Sequence, residues 1–242
     1  MGEPLVLLPG LSNTAEVWDE VRARLGPVDC IVPEHAASAS ADEIAAAHLA
    51  ALPRRFALAG FSFGGYVALA MAAQARNRIT RLALVSSGPG SDSPEGRANR
   101  EKLIGLAQQG RYDTIDARMA PLLVHPDNRE SAAINAVRKR MSEQYGVERY
   151  IEHQRAAAGR SSRLELLPTL EQPVLIAVGR EDRITPLALS EQMARSLPVA
   201  ELVILEQCGH LAPLEAAAPL AAALARWMQR EIKATDPMRI KA

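Results

Sequence analysis

Six short apolar runs, separated by longer amphipathic segments, constrain this chain more than any other feature. The runs are Pro4–Leu8, Asp29–Val32, Phe56–Gly60, Arg81–Ser86, Pro173–Val178 and Glu201–Leu205. They are rich in Val, Leu and Ile and show little polar alternation, as expected of strands covered on both faces. Helical patterns lie between them at Thr14–Leu25, Ala41–Leu52, Phe63–Ala75, Pro186–Ser196 and Pro213–Arg230, with Asn13 or Thr14, Ser40 and Thr185 as N-cap candidates. Such alternation predicts an α/β fold: a mostly parallel sheet of about six strands with helices on both faces.

The alternation fails between residues 88 and 165. No strand pattern occurs there; instead four helices are expected at Pro94–Gln109, Asp113–Leu123, Asn128–Gln144 and Val147–Ala158. This insertion follows a strand whose C-terminal end belongs to the edge where open α/β sheets bind ligands. The segment 88–165 therefore reads as a helical lid over a core made of 1–87 and 166–231, with extra packing as the plainer alternative. The charged stretch 232–242 has no apolar period and reads as a frayed or appended tail.

The 242 residues suffice for one large α/β domain, and 48% of them are hydrophobic, enough for a sizeable core. Lys+Arg and Asp+Glu balance at 28 each, which argues against a broad nucleic-acid or anionic-membrane surface. No stretch approaches the roughly 18 apolar residues of a membrane span, and the N-terminus lacks the pattern of a signal peptide. The expected location is the cytoplasm. Cys30 and Cys208 lack metal-ligand spacing; a disulfide between them is open, but two free thiols fit a reducing compartment better.

Gly60-Phe61-Ser62-Phe63-Gly64 matches G-x-S-x-G between a predicted strand and a predicted helix. A serine on such a turn projects its oxygen above the sheet edge, and the flanking glycines let strand and helix approach closely. Alone, the pentapeptide is only moderately specific, with a glycine-rich turn whose serine caps a helix as the plainer alternative. A catalytic serine needs a base, and the base needs an acid. Of five histidines, His210 follows the last predicted strand and precedes the last long helix. His48 is expected on the flank of a helix, His125 and His153 in loops or on the surface, and His35, after the second strand, is a minor candidate for substrate contact. Asp182 follows the fifth strand by a short turn and is the acid candidate, with Glu181 as the neighbour to exclude. Ser62, Asp182 and His210 each follow a different strand at one sheet edge.

In that chain order the sequence resembles the lid-bearing α/β-hydrolases, over nearly all of Leu5 to Met228 but weakly through the lid. The opening "LVLLPGLSNTAEVW" is similar to that of esterases acting on the methyl ester of a carrier-protein-bound pimeloyl chain, and to the matching loop of enol-lactonases. The resemblance implies ester hydrolysis through a Ser62–His210–Asp182 triad, with no metal or organic cofactor. It also implies an oxyanion hole from the backbone N–H groups of Leu11 and Phe63. Thioester, lactone and C–C bond cleavage run on the same triad in relatives, and a small-molecule sensor with little turnover is the rival from another class. Pro9 stands where relatives carry histidine, and their first two strands have no counterpart here. Ser12, Phe61, Met119, Leu123 and Leu211 are expected to line a pocket for a small ester or acyl substrate, with Leu122, Met141 and Tyr145 as further lid candidates. The run "VRKRM" puts Arg138, Lys139 and Arg140 on a lid helix, where they would either meet an acidic acyl-carrier protein or form a solvated face.

Overall fold

The computed structural model describes residues 3–230; the predicted tail 232–242 lies outside the described residues. In chain order, β1 (Leu5–Leu8) leads through a 3-10 turn to the single-turn helix α1 (Asp19–Arg22), then β2 (Cys30–Ile31), α2 (Ala41–Ala51), β3 (Phe56–Phe61), α3 (Phe63–Ala75) and β4 (Ile79–Val85). Four helices follow: α4 (Pro94–Gln108), α5 (Tyr112–Leu123), α6 (Ala132–Tyr145) and α7 (Val147–Gly159). The chain then returns to the core with β5 (Val174–Gly179), α8 (Leu187–Arg195), β6 (Ala200–Leu205), α9 (Ala212–Glu215) and α10 (Ala217–Met228).

The six strands form one sheet in the order β2-β1-β3-β4-β5-β6. Every neighbouring pair is parallel. Strands β1, β3, β4 and β5 are almost wholly buried, and successive side chains serve opposite faces. Leu5, Leu7, Ala59, Phe61, Val85 and Ala177 pack on one face with Trp18 and Trp227. Val6, Leu8, Leu58, Leu84 and Ile176 pack on the other with Ile44 of α2, Met71 of α3 and Met193 of α8. Trp227 is fully buried, and its indole N–H donates to Pro173 O at 3.1 Å, tying α10 to the start of β5. Its truncation to alanine would cost about 3–5 kcal/mol. The edge strand β2 is only two residues long and lies between Pro27 and Pro33, which limits further strand pairing there.

Two predicted helices are broken. Thr14–Leu25 becomes a 3-10 turn over Ala15–Trp18 followed by α1, although Val17, Trp18, Val21 and Leu25 still supply one buried face. Periodicity identified the buried side chains but not the backbone ladder. Pro213–Arg230 divides at Ala216, where φ is −132°. An unbroken helix would drive the Pro219 ring into the carbonyl of Glu215; the break puts Pro219 in the first turn of α10, where proline is tolerated. Ser40 caps α2 as expected, accepting from Glu43 N. Thr14 precedes the 3-10 turn without a side-chain cap bond, and Thr185 caps nothing: α8 starts after Pro186.

Candidate active site

Ser62 sits between the end of β3 and the start of α3 with φ +51° and ψ −114°. A non-glycine residue there stores roughly 1–3 kcal/mol of strain, so its surroundings must enforce it. Ser62 N donates to Val85 O at 2.9 Å, and Ser87 Oγ donates to Ser62 O at 2.8 Å. The turn is tight enough that a Cβ on Gly60 would collide with Gly64 O, and one on Gly64 would stand 2.5 Å from the carbonyl oxygens of Leu8 and Pro9. Phe63 opens α3, so its N–H has no partner within the helix.

Ser62 Oγ lies 2.9 Å from His210 Nε2. The other ring nitrogen, Nδ1, lies 2.9 Å from Asp182 Oδ2 and 3.1 Å from Oδ1. His210 is placed by the end of α5: its N–H and that of Leu211 both donate to Leu123 O, at 2.9 and 3.0 Å. Gly209 N donates to Glu215 Oε1 at 3.0 Å, and His125 N donates to Oε2 of the same glutamate at 2.6 Å. Asp182 is buried and fully coordinated. Its Oδ1 accepts from the N–H groups of Ile184 and Thr185, both at 2.8 Å, and its Oδ2 accepts from Thr185 Oγ1 at 2.7 Å. Burial alone would raise the carboxyl pKa; the facing His210 and the bonds from His210 and Thr185 outweigh it and hold Asp182 below the usual carboxylate range.

A cavity of about 340 Å³ opens above Ser62 between the sheet edge and helices α4 to α7. Its apolar wall includes Leu11, Phe61, Phe63, Met119, Leu123 and Leu211, and Ser12 lies at its rim. Ile115, Met119 and Leu123 recur every four residues and so form one stripe of α5. Polar groups also reach it: Arg138 faces Asp116 at 3.1 Å, and Arg100 Nη1 donates to Gln154 Oε1 at 2.7 Å. The loop after β1 reaches the cavity through Leu11 and Ser12. Ser12 has φ +58°, and no hydrogen bond from Leu11 N is found among the described residues.

Residues 5–223 match the model of the Alpha/beta hydrolase family. This chain belongs to the α/β-hydrolases. It is 31% identical over 226 residues to a pimeloyl-[acyl-carrier protein] methyl ester esterase of Nitrosomonas europaea, covering 86% of this chain and 89% of that protein. Among solved structures it is similar to a thermophilic esterase from Thermogutta terrifontis with malate bound, at TM-score 0.87 and 27% identity, covering 94% of this chain and 90% of that one. The enol-lactonase from Burkholderia xenovorans LB400 shares the fold, at TM-score 0.85 and 18% identity, with 95% and 93% covered.

Several other residues weighed from the sequence lie away from the cavity. Glu181 does not reach His210; its Oε2 accepts from Cys208 N at 3.1 Å. His35 does not face the cavity but is buried behind Pro9, its Nε2 3.0 Å from the Pro9 carbonyl oxygen. His48 is turned inward rather than lying on a helix flank, and its Nε2 is 2.9 Å from His35 Nδ1. His153 is completely buried, not a surface residue, with Nε2 2.8 Å from Ala36 O and Nδ1 against the Tyr145 hydroxyl. His125 does occupy a loop, after α5. Of the additional lid candidates, Leu122 is exposed, Met141 belongs to the core around Trp18, and Tyr145 lies behind the cavity wall rather than in it. The run "VRKRM" is not a uniform solvated face: Arg138 is buried against Asp116, while Lys139 and Arg140 pair with Glu143 and Glu16. Both cysteines are free thiols.

The part played by Thr185 and the burial of His35 and His153 carry no mark in the local sequence. A visible signal did exist for His48, which falls one turn after the core residue Ile44 on α2. No helix among the described residues is long and apolar enough to cross a membrane.

Proposed function

We propose that this α/β-hydrolase cleaves a carboxylic ester of a small or medium acyl group through a covalent acyl-enzyme. The observation that carries this reading is His210 bridging two partners at once, Ser62 Oγ at 2.9 Å and Asp182 Oδ2 at 2.9 Å. Ser62 Oγ attacks the ester carbonyl while His210 Nε2 takes its proton. Asp182 fixes the imidazole with Nδ1 protonated and stabilises the imidazolium. The N–H groups of Leu11 and Phe63 receive the oxyanion, a contribution worth several kcal/mol in acyl transfer. The imidazolium then protonates the departing alkoxide. Water deprotonated by His210 attacks the acyl-enzyme, and collapse returns the proton to Ser62 Oγ and frees the acid.

The segment 88–165 acts in this reading as the lid, since α4 to α7 supply most of the cavity wall away from the sheet. The largely apolar wall suits an acyl chain, and a free small-molecule ester is favoured over a carrier-bound one. Arg138, Lys139 and Arg140, which would greet an acidic carrier protein, each already face a carboxylate of this chain. The test is turnover of p-nitrophenyl esters from acetate to decanoate, beside acyl-CoA thioesters and lactones, with Ser62→Ala as control. Ester turnover that vanishes in Ser62→Ala, in a variant of unchanged melting temperature, is the expected result. Near-normal hydrolysis by Ser62→Ala overturns the assignment.

A further inference from the structure

Behind the cavity lies a buried polar chain that touches neither Ser62 nor the space above it. His35, His48, His153 and Tyr145 are each at most 5% exposed, and none of them lines the cavity. A carbonyl oxygen only accepts, so the 3.0 Å contact to Pro9 O places a proton on His35 Nε2. Burial, reinforced by neighbouring His48, pushes the His35 pKa down to about 3, so its ring is neutral and Nδ1 is bare. That bare nitrogen accepts from His48 Nε2 at 2.9 Å. The same logic orders the second branch. His153 Nε2 donates to Ala36 O at 2.8 Å, which leaves Nδ1 to accept the Tyr145 hydroxyl proton. The Tyr145 hydroxyl also stands toward the backbone N–H of Ser12, whose own hydroxyl meets Tyr112 Oη at 3.3 Å.

The two branches meet on one loop from opposite sides of Leu11. His35 holds the carbonyl of Pro9 at 3.0 Å, and Tyr145 stands beside the backbone of Ser12. Ser12 sits at φ +58°, a region that few non-glycine residues occupy. The same histidines brace Phe63: its ring stacks on His153 at 5.0 Å between centroids and meets the edge of His35 at 5.4 Å. We propose that His35 and Tyr145 are positioning residues that aim the Leu11 N–H at the reacting carbonyl oxygen, with His48 and His153 fixing their orientation. Because Tyr145 ends α6 and His153 lies on α7, the donor is correctly aimed only while these helices are seated on the sheet edge. The inference rests on the serine-hydrolase reading, and Ser62→Ala tests that reading separately.

The experiment compares His35→Leu, His35→Gln and Tyr145→Phe with wild type on the best-turned-over p-nitrophenyl ester. A misaimed donor weakens the transition state more than the ground state, so kcat falls and KM stays. Losing one oxyanion donor outright costs about 10²–10³ in kcat; displacing it should cost about 10–100-fold in His35→Leu and Tyr145→Phe, with KM within about twofold. His35→Gln places an amide N–H where Nε2 stands and should recover most of the loss. Affinity for a trifluoromethyl ketone, whose adduct with Ser62 carries the oxyanion, should fall in parallel with kcat. Unchanged kcat in both His35→Leu and Tyr145→Phe, a loss expressed in KM alone, or His35→Gln no better than His35→Leu overturns the proposal. Should His35→Leu fail to fold, Tyr145→Phe, which removes a single hydroxyl, decides it.

Discussion

Thr185 serves Asp182 from two directions at once: its N–H donates to Oδ1 at 2.8 Å and its hydroxyl donates to Oδ2 at 2.7 Å. A residue expected to start a helix instead orients the acid of the site. Thr185→Val keeps the backbone bond and the shape but removes the hydroxyl from a buried carboxylate. The expected cost is about 1–2 kcal/mol of transition-state stabilisation, roughly tenfold in kcat/KM. Thr185→Ser should stay within about twofold of wild type. Steady-state kinetics on one ester checks both.

Acid should destabilise the fold well before its carboxylates titrate. His35 and His48 have pKa values near 3 and 4 in the folded chain, against 6.5 when unfolded, with burial the leading cause in each. His48, His153 and Arg149 all face His35, and their charges oppose its protonation further. The unfolded chain therefore binds protons that the folded chain refuses. Stability is complete above about pH 6.5 and falls as pH drops toward 4. By pH 5 each histidine accounts for up to about 2 kcal/mol of the loss. Melting temperatures at pH 7.5 and pH 5 check this: the drop should shrink in His35→Gln/His48→Gln. An equal drop in that variant would disprove the attribution.

Gly64→Ala should cost both stability and activity. Its Cβ would press on the main-chain oxygens of Leu8 and Pro9 at 2.5 Å, and neither can swing aside as a side-chain tip would. About 3 kcal/mol of destabilisation is expected from such overpacking, read as a lowered melting temperature. Turnover should fall further than the folded fraction does, because the displaced carbonyls lead directly into the Leu11 loop.

Chain-length preference should respond to Met119. Met119→Trp fills the cavity above Ser62 without touching the hydrogen bonds of Asp182, His210 or Thr185. The ratio of kcat/KM for decanoate over acetate should drop at least about tenfold, with acetate turnover nearly unchanged. A ratio that stays constant would mean the acyl chain lies elsewhere.

The sheet was legible because buried parallel strands must be apolar throughout, and all six runs became strands with ends displaced by at most two residues. Ser62, Asp182 and His210 were legible because each follows a strand, and a parallel sheet delivers all such turns to one edge. What escaped was set by tertiary contact rather than local pattern. Nothing around residue 185 distinguishes a threonine that caps a helix from one that turns back to Asp182. His153 looks like an ordinary polar residue of an amphipathic helix until α7 docks and buries it against Phe63 and Tyr145. Arg138 was similarly unreadable, because its partner Asp116 lies on a different helix.

The last carbonyl of α5 holds the backbone of both His210 and Leu211, while Ile115 and Met119 upstream line the cavity. One helix thus separates two kinds of inheritance. Side chains along that cavity stripe are open to drift, and with them the shape of the space above Ser62. The main chain at 123 is anchored by the backbone of His210 itself. A lineage descending from this protein would change diet by substitution along that stripe long before it altered the step that all its members share.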